Sequence, residues 1–241
     1  MLKVKSFLIR TFKKSLGTLP RLIQYSLNKN ESTVVSIIME KAIERSAIYA
    51  IENFSSAVIF NSREEIYKYC LTQVPLSKNK KKIILEFGVC NGNSINYFAK
   101  LDKESTIYGF DSFEGLEENW YAGGALKYSM STKGKLPKVK SNVTLIKGWY
   151  NESLPGFIAQ LGDKQIDVLH LDSDTYTPTA FVLNSLVDNL RPGSIVIFDE
   201  FFGYPNWENF EFKAWNEFNS TYKISAKCIA FSKNQVAFQW Q

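Results

Sequence analysis

Four carboxylates follow two short apolar runs. Ile166 to Leu171 leads into Asp172 and Asp174 in IDVLHLDSDTY, and Ser194 to Phe198 leads into Asp199 and Glu200 in GSIVIFDEFF. Acids gathered in one place repel one another unless a cation sits among them. An all-oxygen set of this kind suits a hard ion such as Mg²⁺, Ca²⁺ or Mn²⁺. A carboxylate beside such an ion can also take a proton from a hydroxyl, and Asp174, alternating past Asp172, is the first choice for that base. His170, the only histidine, is the second choice. On a strand it shares a face with Asp172, but one histidine in an apolar strand is more often a satisfied core residue.

These acids can cooperate only if the chain brings them together. Both apolar runs are too short for typical helices and rich in β-branched residues, so they read as buried strands. Between them Phe181, Leu183, Leu186, Val187 and Leu190 have helical spacing, giving a helix over Thr179 to Leu190 that stops at Arg191-Pro192-Gly193. A right-handed crossover makes the two strands parallel, so both acid pairs emerge at one carboxyl edge, where open α/β sheets bind ligands. Strand-end acids can also simply cap helices or face water.

Upstream, the strand Ile83 to Val89 runs into Cys90-Asn91-Gly92-Asn93-Ser94 and then a helix. Such a turn lets backbone amides approach a carboxylate or phosphate, with Ser94 available as a donor. The spacing is not G-x-G-x-x-G, which argues against NAD or FAD. The next strand, Thr106 to Phe110, ends in Asp111, 19 residues beyond Gly92, where an acid can accept both hydroxyls of a ribose. Ser112 to Lys140 is long and irregular, with Trp120, Tyr121, Gly123-Gly124, Tyr128 and Met130: a substrate lid or wall, or a surface excursion packing back on the core. Asn142 to Lys147 is a further strand with Gly148-Trp149 at its end, where the indole can cover a purine or pack in the core. Ser153 and Pro155 introduce a helix to Leu161. Trp207, Phe210, Ala214, Trp215 and Phe218 fit another helix, followed by an antiparallel pair, Ile224 to Phe231 and Gln235 to Trp240.

The alternation gives an α/β protein with a doubly wound, mostly parallel sheet of seven strands. Ahead of it stands an N-terminal helical extension: one helix over Val34 to Ile51 and a second opened by the capping box Ser62/Glu65 and running to about Val74. The expected organisation is a basic arm over residues 1–32 and a single domain over 33–241, with added helices in 33–76 and the core in 83–241.

Composition limits the function classes. With 241 residues, 45% of them hydrophobic, the chain can bury a substantial core. No apolar run approaches the roughly 18 residues of a membrane span, and the head lacks the apolar centre of a secretory signal, so a cytoplasmic location is expected. Cys70, Cys90 and Cys228 are widely spaced and lack a CxxC, which argues against disulfides and a zinc site. Residues 1–30 hold seven Lys/Arg and no acid, leaving 22 basic against 24 acidic residues elsewhere. The main domain is therefore no basic nucleic-acid binder. Leu2, Val4, Phe7, Leu8, Ile9, Phe12 and Leu16 interleave with the head's cations, a pattern that suits an anionic membrane surface. An arm packed on a partner subunit of a homo-oligomer, or on its own domain, is at least as good a reading.

The segments LEFGVCNGNS (85–94), GFDSFEGL (109–116), KGWYNESLP (147–155), HLDSDTY (170–176) and IVIFDEFFGYPNWENFEFKAWNEF (195–218) resemble those of class I S-adenosylmethionine-dependent methyltransferases, and most closely the macrocin O-methyltransferase family. The resemblance spans about residues 83–218 and implies the Rossmann-like methyltransferase fold, S-adenosylmethionine as cofactor and a divalent metal, Mg²⁺ first. It implies that Glu86, Gly88, Asn91, Gly92 and Ser94 form the methionine-side pocket, that Asp111 with Ser112 serves the ribose side, and that Gly148 and Trp149 flank the adenine. Asp172, Asp199 and Glu200 fall where family members hold the metal, with Glu200 replacing a more common Asp or Asn. Catechol enzymes carry a lysine three positions after the first metal acid, and this chain has Thr175 there. The implied activity is O-methylation of a hydroxyl on a sugar or glycosylated small molecule. A catechol-like phenol acceptor and a non-catalytic membrane-surface or partner-binding module are the alternatives.

Overall fold

The computed structural model describes residues 33–75 and 81–241, so the expected basic arm lies outside the described residues. Among the described residues, Ala42–Gln241 forms one compact unit. Helix α1 (Val34–Asn53) is the first described element. None of the described helices is long and apolar enough to cross a membrane.

All seven expected strands form: β2 (Ile83–Phe87), β3 (Thr106–Asp111), β4 (Val143–Lys147), β5 (Val168–Leu171), β6 (Ile195–Phe198), β7 (Ala226–Phe231) and β8 (Val236–Trp240). An eighth, β1 (Val58–Ile59), has two residues and pairs parallel with β7, too short to leave a periodic signal. The order is β1-β7-β8-β6-β5-β2-β3-β4, with β8 antiparallel to β6 and β7. In the parallel centre Glu86 lies opposite His170 and His170 opposite Ile197. The ladder continues one rung past the strand ends: Asp172 donates its N–H to the Phe87 carbonyl at 2.8 Å, and Asp199 to that of Leu171 at 2.9 Å. Register alone therefore sets the two acids beside each other.

Helices cover both faces, because the central strands are apolar on both sides. On one face α2 (Arg63–Gln73) and α3 (Asn93–Leu101) bury Ile66, Tyr67, Cys70, Ile95 and Phe98 against Ile84, Val168 and Ile197. The other is covered by α4 (Tyr150–Leu161), α5 (Tyr176–Ser185) and α6 (Glu211–Tyr222), with Phe87 stacked on Phe110 at 4.5 Å inside that layer.

Three helices differ from their expected bounds: the one expected to include Trp207 and Phe210 begins only at Glu211, with Trp207–Asn209 forming a separate 3₁₀ turn. α4 opens at Tyr150, with Pro155 in its second turn; proline there removes one main-chain donor, and Ser153 Oγ bonds back to the Trp149 carbonyl. The helix expected over Thr179 to Leu190 starts at Tyr176, ends at Ser185 and is followed by a 3₁₀ turn, Val187–Asn189, where the Asn189 amide donates to the carbonyls of Gly162 and Lys164.

The capping box at α2 forms as expected. Ser62 Oγ accepts from the Glu65 N–H, and the Glu65 carboxylate accepts from the Ser62 N–H at 3.1 Å. Replacing Ser62 by Ala is expected to cost about 1 kcal/mol, lowering the melting midpoint by about 2–4 °C in a domain of this size. An unchanged midpoint would show that the box contributes nothing.

Candidate active site

A cavity of about 150 Å³ opens at the carboxyl ends of β2, β3 and β5. Gly88, Asp111, Ser112, Trp149, Asp172 and Asp174 all line it, so six of the expected residues meet in one place. Gly88 is required by a close approach: it has φ +99°, and a Cβ there would stand 1.8 Å from the Asp172 carbonyl oxygen. Asp111 organises the turn opposite, its carboxylate accepting from the N–H groups of Cys90 at 2.7 Å and Phe113 at 2.6 Å. Each oxygen keeps a further lone pair for a ligand hydroxyl. Gly148 donates its N–H to the Asp111 carbonyl, which fixes Trp149 at the cavity wall.

Five expected cofactor residues do not line this cavity: Gly148, which precedes Trp149, and Glu86, Asn91, Gly92 and Ser94. Glu86 is fully buried, accepting from Ser94 Oγ at 2.9 Å and facing His170 Nδ1 at 3.1 Å, so Glu86 and Ser94 brace the turn from behind. Asn91 borders a second cavity, lined also by Cys90, Met130 and Lys135. Gly92 (φ +78°) is the N-cap of α3.

The segment after β3 closes over the first cavity through Gly115, Leu116, Glu117 and Met130. Trp120 turns inward, edge-on to Tyr204 at 5.7 Å, whereas Tyr121 and Tyr128 face solvent. Glu118 ties the segment to the start of α5 by accepting from Thr177 N–H and Oγ. It therefore combines a cavity wall with the core packing that was its alternative.

His170, Asp172 and Asp199 each offer one ligand atom, all lying within 4.8 Å of one another. Both ring nitrogens of His170 are engaged, however: Nδ1 with Glu86, and Nε2 with Tyr67 Oη at 3.1 Å. Tyr67 donates its only proton to Asp199 Oδ1 at 3.0 Å. Nε2 must then carry a hydrogen towards Tyr67, and Nδ1 one towards the Glu86 carboxylate, which makes the ring an imidazolium. Burial opposes that charge, but the Asp199 carboxylate, 3.7 Å from Nε2, and the Glu86 carboxylate at Nδ1 override it and push the pKa up to about 10. A ring so engaged supports its neighbours and has no lone pair to spare for a metal or a substrate proton.

The carboxylates separate by environment. For Asp199, burial works against the charged form, but His170, Arg63 and Tyr67 together hold its pKa below the usual range. Asp172 is pushed well up by burial and by the charges of Asp199 and Asp174. Asp174, in the left-handed conformation at φ 61°, is pushed up to about 7 by burial and Asp199. Glu200 is raised well above its ordinary value by burial and the neighbouring acids, and its Oε2 is buried without a hydrogen-bond partner. Crowded acids with an unpartnered buried oxygen are a donor set of the kind a hard divalent cation takes; of the three expected ligands, Asp172 and Asp199 stand in the group whose atoms lie within 4.8 Å of one another among the described residues, and Glu200 is not in that group.

Sequence reading missed Glu211, Tyr67 and Arg63. Glu211 is fully buried; Oε2 accepts the Glu200 N–H at 3.0 Å, which fixes the turn after β6, and Oε1 has no partner. Its signal was available: Glu211 shares the apolar stripe of its helix with Ala214, Trp215 and Phe218, where an unpaired acid is out of place. Tyr67 and Arg63 lie four residues apart on one face of α2, a spacing with no chemical signature of its own.

Residues 85–201 match the family model of a methyltransferase domain, the stretch from β2 to just past Glu200. With the fold and the site at the strand ends, this bears out the resemblance to class I S-adenosylmethionine-dependent methyltransferases. One relative is the 8-demethyl-8-(2,3-dimethoxy-alpha-L-rhamnosyl)-tetracenomycin-C 4'-O-methyltransferase of Streptomyces olivaceus, 28% identical over 156 residues; the match covers 56% of this chain and 58% of that protein's length. Among solved structures, the calicheamicin methyltransferase CalS11 has a TM-score of 0.60 at 20% identity, covering 87% of this chain and 94% of that one. The O-methyltransferase NovP has a TM-score of 0.53 at 20% identity, covering 73% and 78%. At these identities the structural likeness establishes the Rossmann-like fold.

The buried Glu211 gives a linkage prediction. Burial, then the nearby Asp174 charge, raise its pKa well above that of an ordinary carboxyl. Above a pH of about 4.3 the folded state therefore binds more protons at this position than the unfolded chain, and stability falls as pH rises. Glu211→Gln removes that contribution. The variant should gain melting temperature relative to the unsubstituted protein between pH 5 and pH 8, by a few degrees at about 2–4 °C per kcal/mol. Parallel pH profiles would show that Glu211 is ionised in the fold.

Proposed function

We propose that this chain is an S-adenosylmethionine-dependent O-methyltransferase whose acceptor is a hydroxyl on a sugar or glycosylated small molecule. The observation that carries the reading is the cavity itself, in which the ribose acid Asp111 and the acids Asp172 and Asp174 line one space at a parallel sheet's carboxyl edge. The sugar acceptor is supported by the relative that methylates a rhamnosyl group.

Within this reading Asp111 accepts the ribose hydroxyls, Trp149 flanks the adenine, and the turn at Gly88 lets the backbone approach the cofactor closely. Asp172, Asp199 and Glu200 would hold a divalent cation, most simply Mg²⁺, whose chemistry is to lower the pKa of an acceptor hydroxyl and to orient it. Asp174 takes the hydroxyl proton: its raised pKa matches a general base near neutral pH, and its left-handed backbone turns it into the cavity wall. Residues 115–117 and Met130 exclude water from the transfer. Thr175, where catechol enzymes carry a lysine, is buried and leaves Asp174 as the base. A cytoplasmic reaction and contact of residues 1–30 with an anionic membrane belong to the same proposal.

Calorimetric titration with S-adenosylhomocysteine tests the cofactor half. Asp111→Asn should weaken binding about 10- to 100-fold, the range for losing a hydrogen bond to a charged group; an unchanged affinity removes Asp111 from the ribose site. Asp172→Asn should bind S-adenosylhomocysteine within about two-fold of the unsubstituted protein yet lose methyl transfer to rhamnosides by at least about 100-fold. Full transfer in the presence of a chelator would remove the cation from the reaction.

A further inference from the structure

Helix α2 lies before the matched domain, yet it reaches the acid cluster. Tyr67 is 1% exposed and donates to Asp199 Oδ1 at 3.0 Å, while Arg63, one turn earlier, donates to Oδ2 at 3.3 Å. Behind Tyr67 the chain of hydrogen bonds runs through His170 to Glu86, which also holds Ser94 at the start of α3. Every link from Tyr67 to Glu86 is buried in an apolar layer that includes Ile66, Ile84, Phe98, Val168 and Ile197.

Stability does not account for such a network. Replacing buried ionic groups with apolar side chains of similar volume is often neutral or stabilising. What the network supplies is direction. Each Asp199 oxygen receives one hydrogen bond, so the carboxylate cannot turn, and each keeps a lone pair for a further ligand. Asp172 has no comparable ion pair among the described residues, so Asp199 is the acid whose aim is fixed in advance.

Resting on the proposed function, we infer that Tyr67 is a positioning residue, holding Asp199 in the orientation that a divalent cation requires and linking it through His170 to the Glu86 side of the cofactor turn. The added helix is thereby part of the active site. Partners of this kind orient metal ligands, and their loss typically costs about 10- to 100-fold in metal affinity.

The test uses the full chain with Mn²⁺ as probe, read by the paramagnetic signal of the free ion, with S-adenosylhomocysteine binding measured separately by calorimetry. Tyr67→Phe removes one hydroxyl and keeps the ring contacts with Phe98 at 4.5 Å and His170 at 5.0 Å. It should weaken Mn²⁺ binding about 10-fold while S-adenosylhomocysteine affinity stays within about two-fold, and the melting midpoint should fall by a few degrees, because a buried hydroxyl between His170 and Asp199 is lost. Tyr67→Leu, which also loses the ring, should weaken Mn²⁺ no less and melt lower. Equal Mn²⁺ affinity in Tyr67→Phe and the unsubstituted protein, including no uptake by either, overturns the inference. Loss of S-adenosylhomocysteine binding by the unsubstituted protein would instead overturn the proposed function, so the two failures are read on different titrations.

Discussion

Carboxylates confined to one buried end of a parallel sheet set the terms for everything around them. Asp172, Asp174, Asp199, Glu200 and Glu211 form one electrostatic cluster, each interacting with at least one of the others. Two like charges 4 Å apart repel by about 4 kcal/mol at an effective dielectric near 20, so five cannot all remain charged without compensation. Compensation is uneven: Asp199 has Arg63 and the His170 imidazolium, whereas Asp172 and Glu200 are pushed towards protonation. That unevenness separates one acid held in its charged form from acids pushed towards protonation.

The sheet makes this arrangement unavoidable. Parallel β2, β5 and β6 end together, and the ladder hydrogen bonds of Asp172 and Asp199 carry them one rung beyond, side by side. The same crowding leaves no room for a side chain at Gly88. A cofactor bound over that glycine, as proposed, would lie against the backbone of the residue that begins the acid cluster.

Much of this was legible from residues alone. Short β-branched runs ending in acids marked β5 and β6, and the glycine turn after β2 with Asp111 at the end of β3 marked the edge of the cavity, because strand length and strand-end position are local properties of sequence. The capping box at Ser62 was equally local. What stayed hidden depends on tertiary contact. His170 sits one residue from an acid in sequence, but its role follows from register against Glu86 and from a tyrosine 103 residues away. The two-residue β1 exists only because β7 offers it an edge. Pro155 reads as a helix start, yet the helix already runs through it, because the turn from Gly148 sets Trp149 and Tyr150 before proline chemistry can decide.

The most direct measurement is a crystal structure of the full chain soaked with Mn²⁺ and S-adenosylhomocysteine, with the ion located by anomalous scattering. The expected result is an ion about 2.0–2.3 Å from carboxylate oxygens of Asp172, Asp199 and Glu200, with the ribose on Asp111 and the cofactor sulfur facing Asp174. An ion elsewhere, or a cofactor sulfur turned away from the acids, would contradict a site in which these carboxylates activate the acceptor.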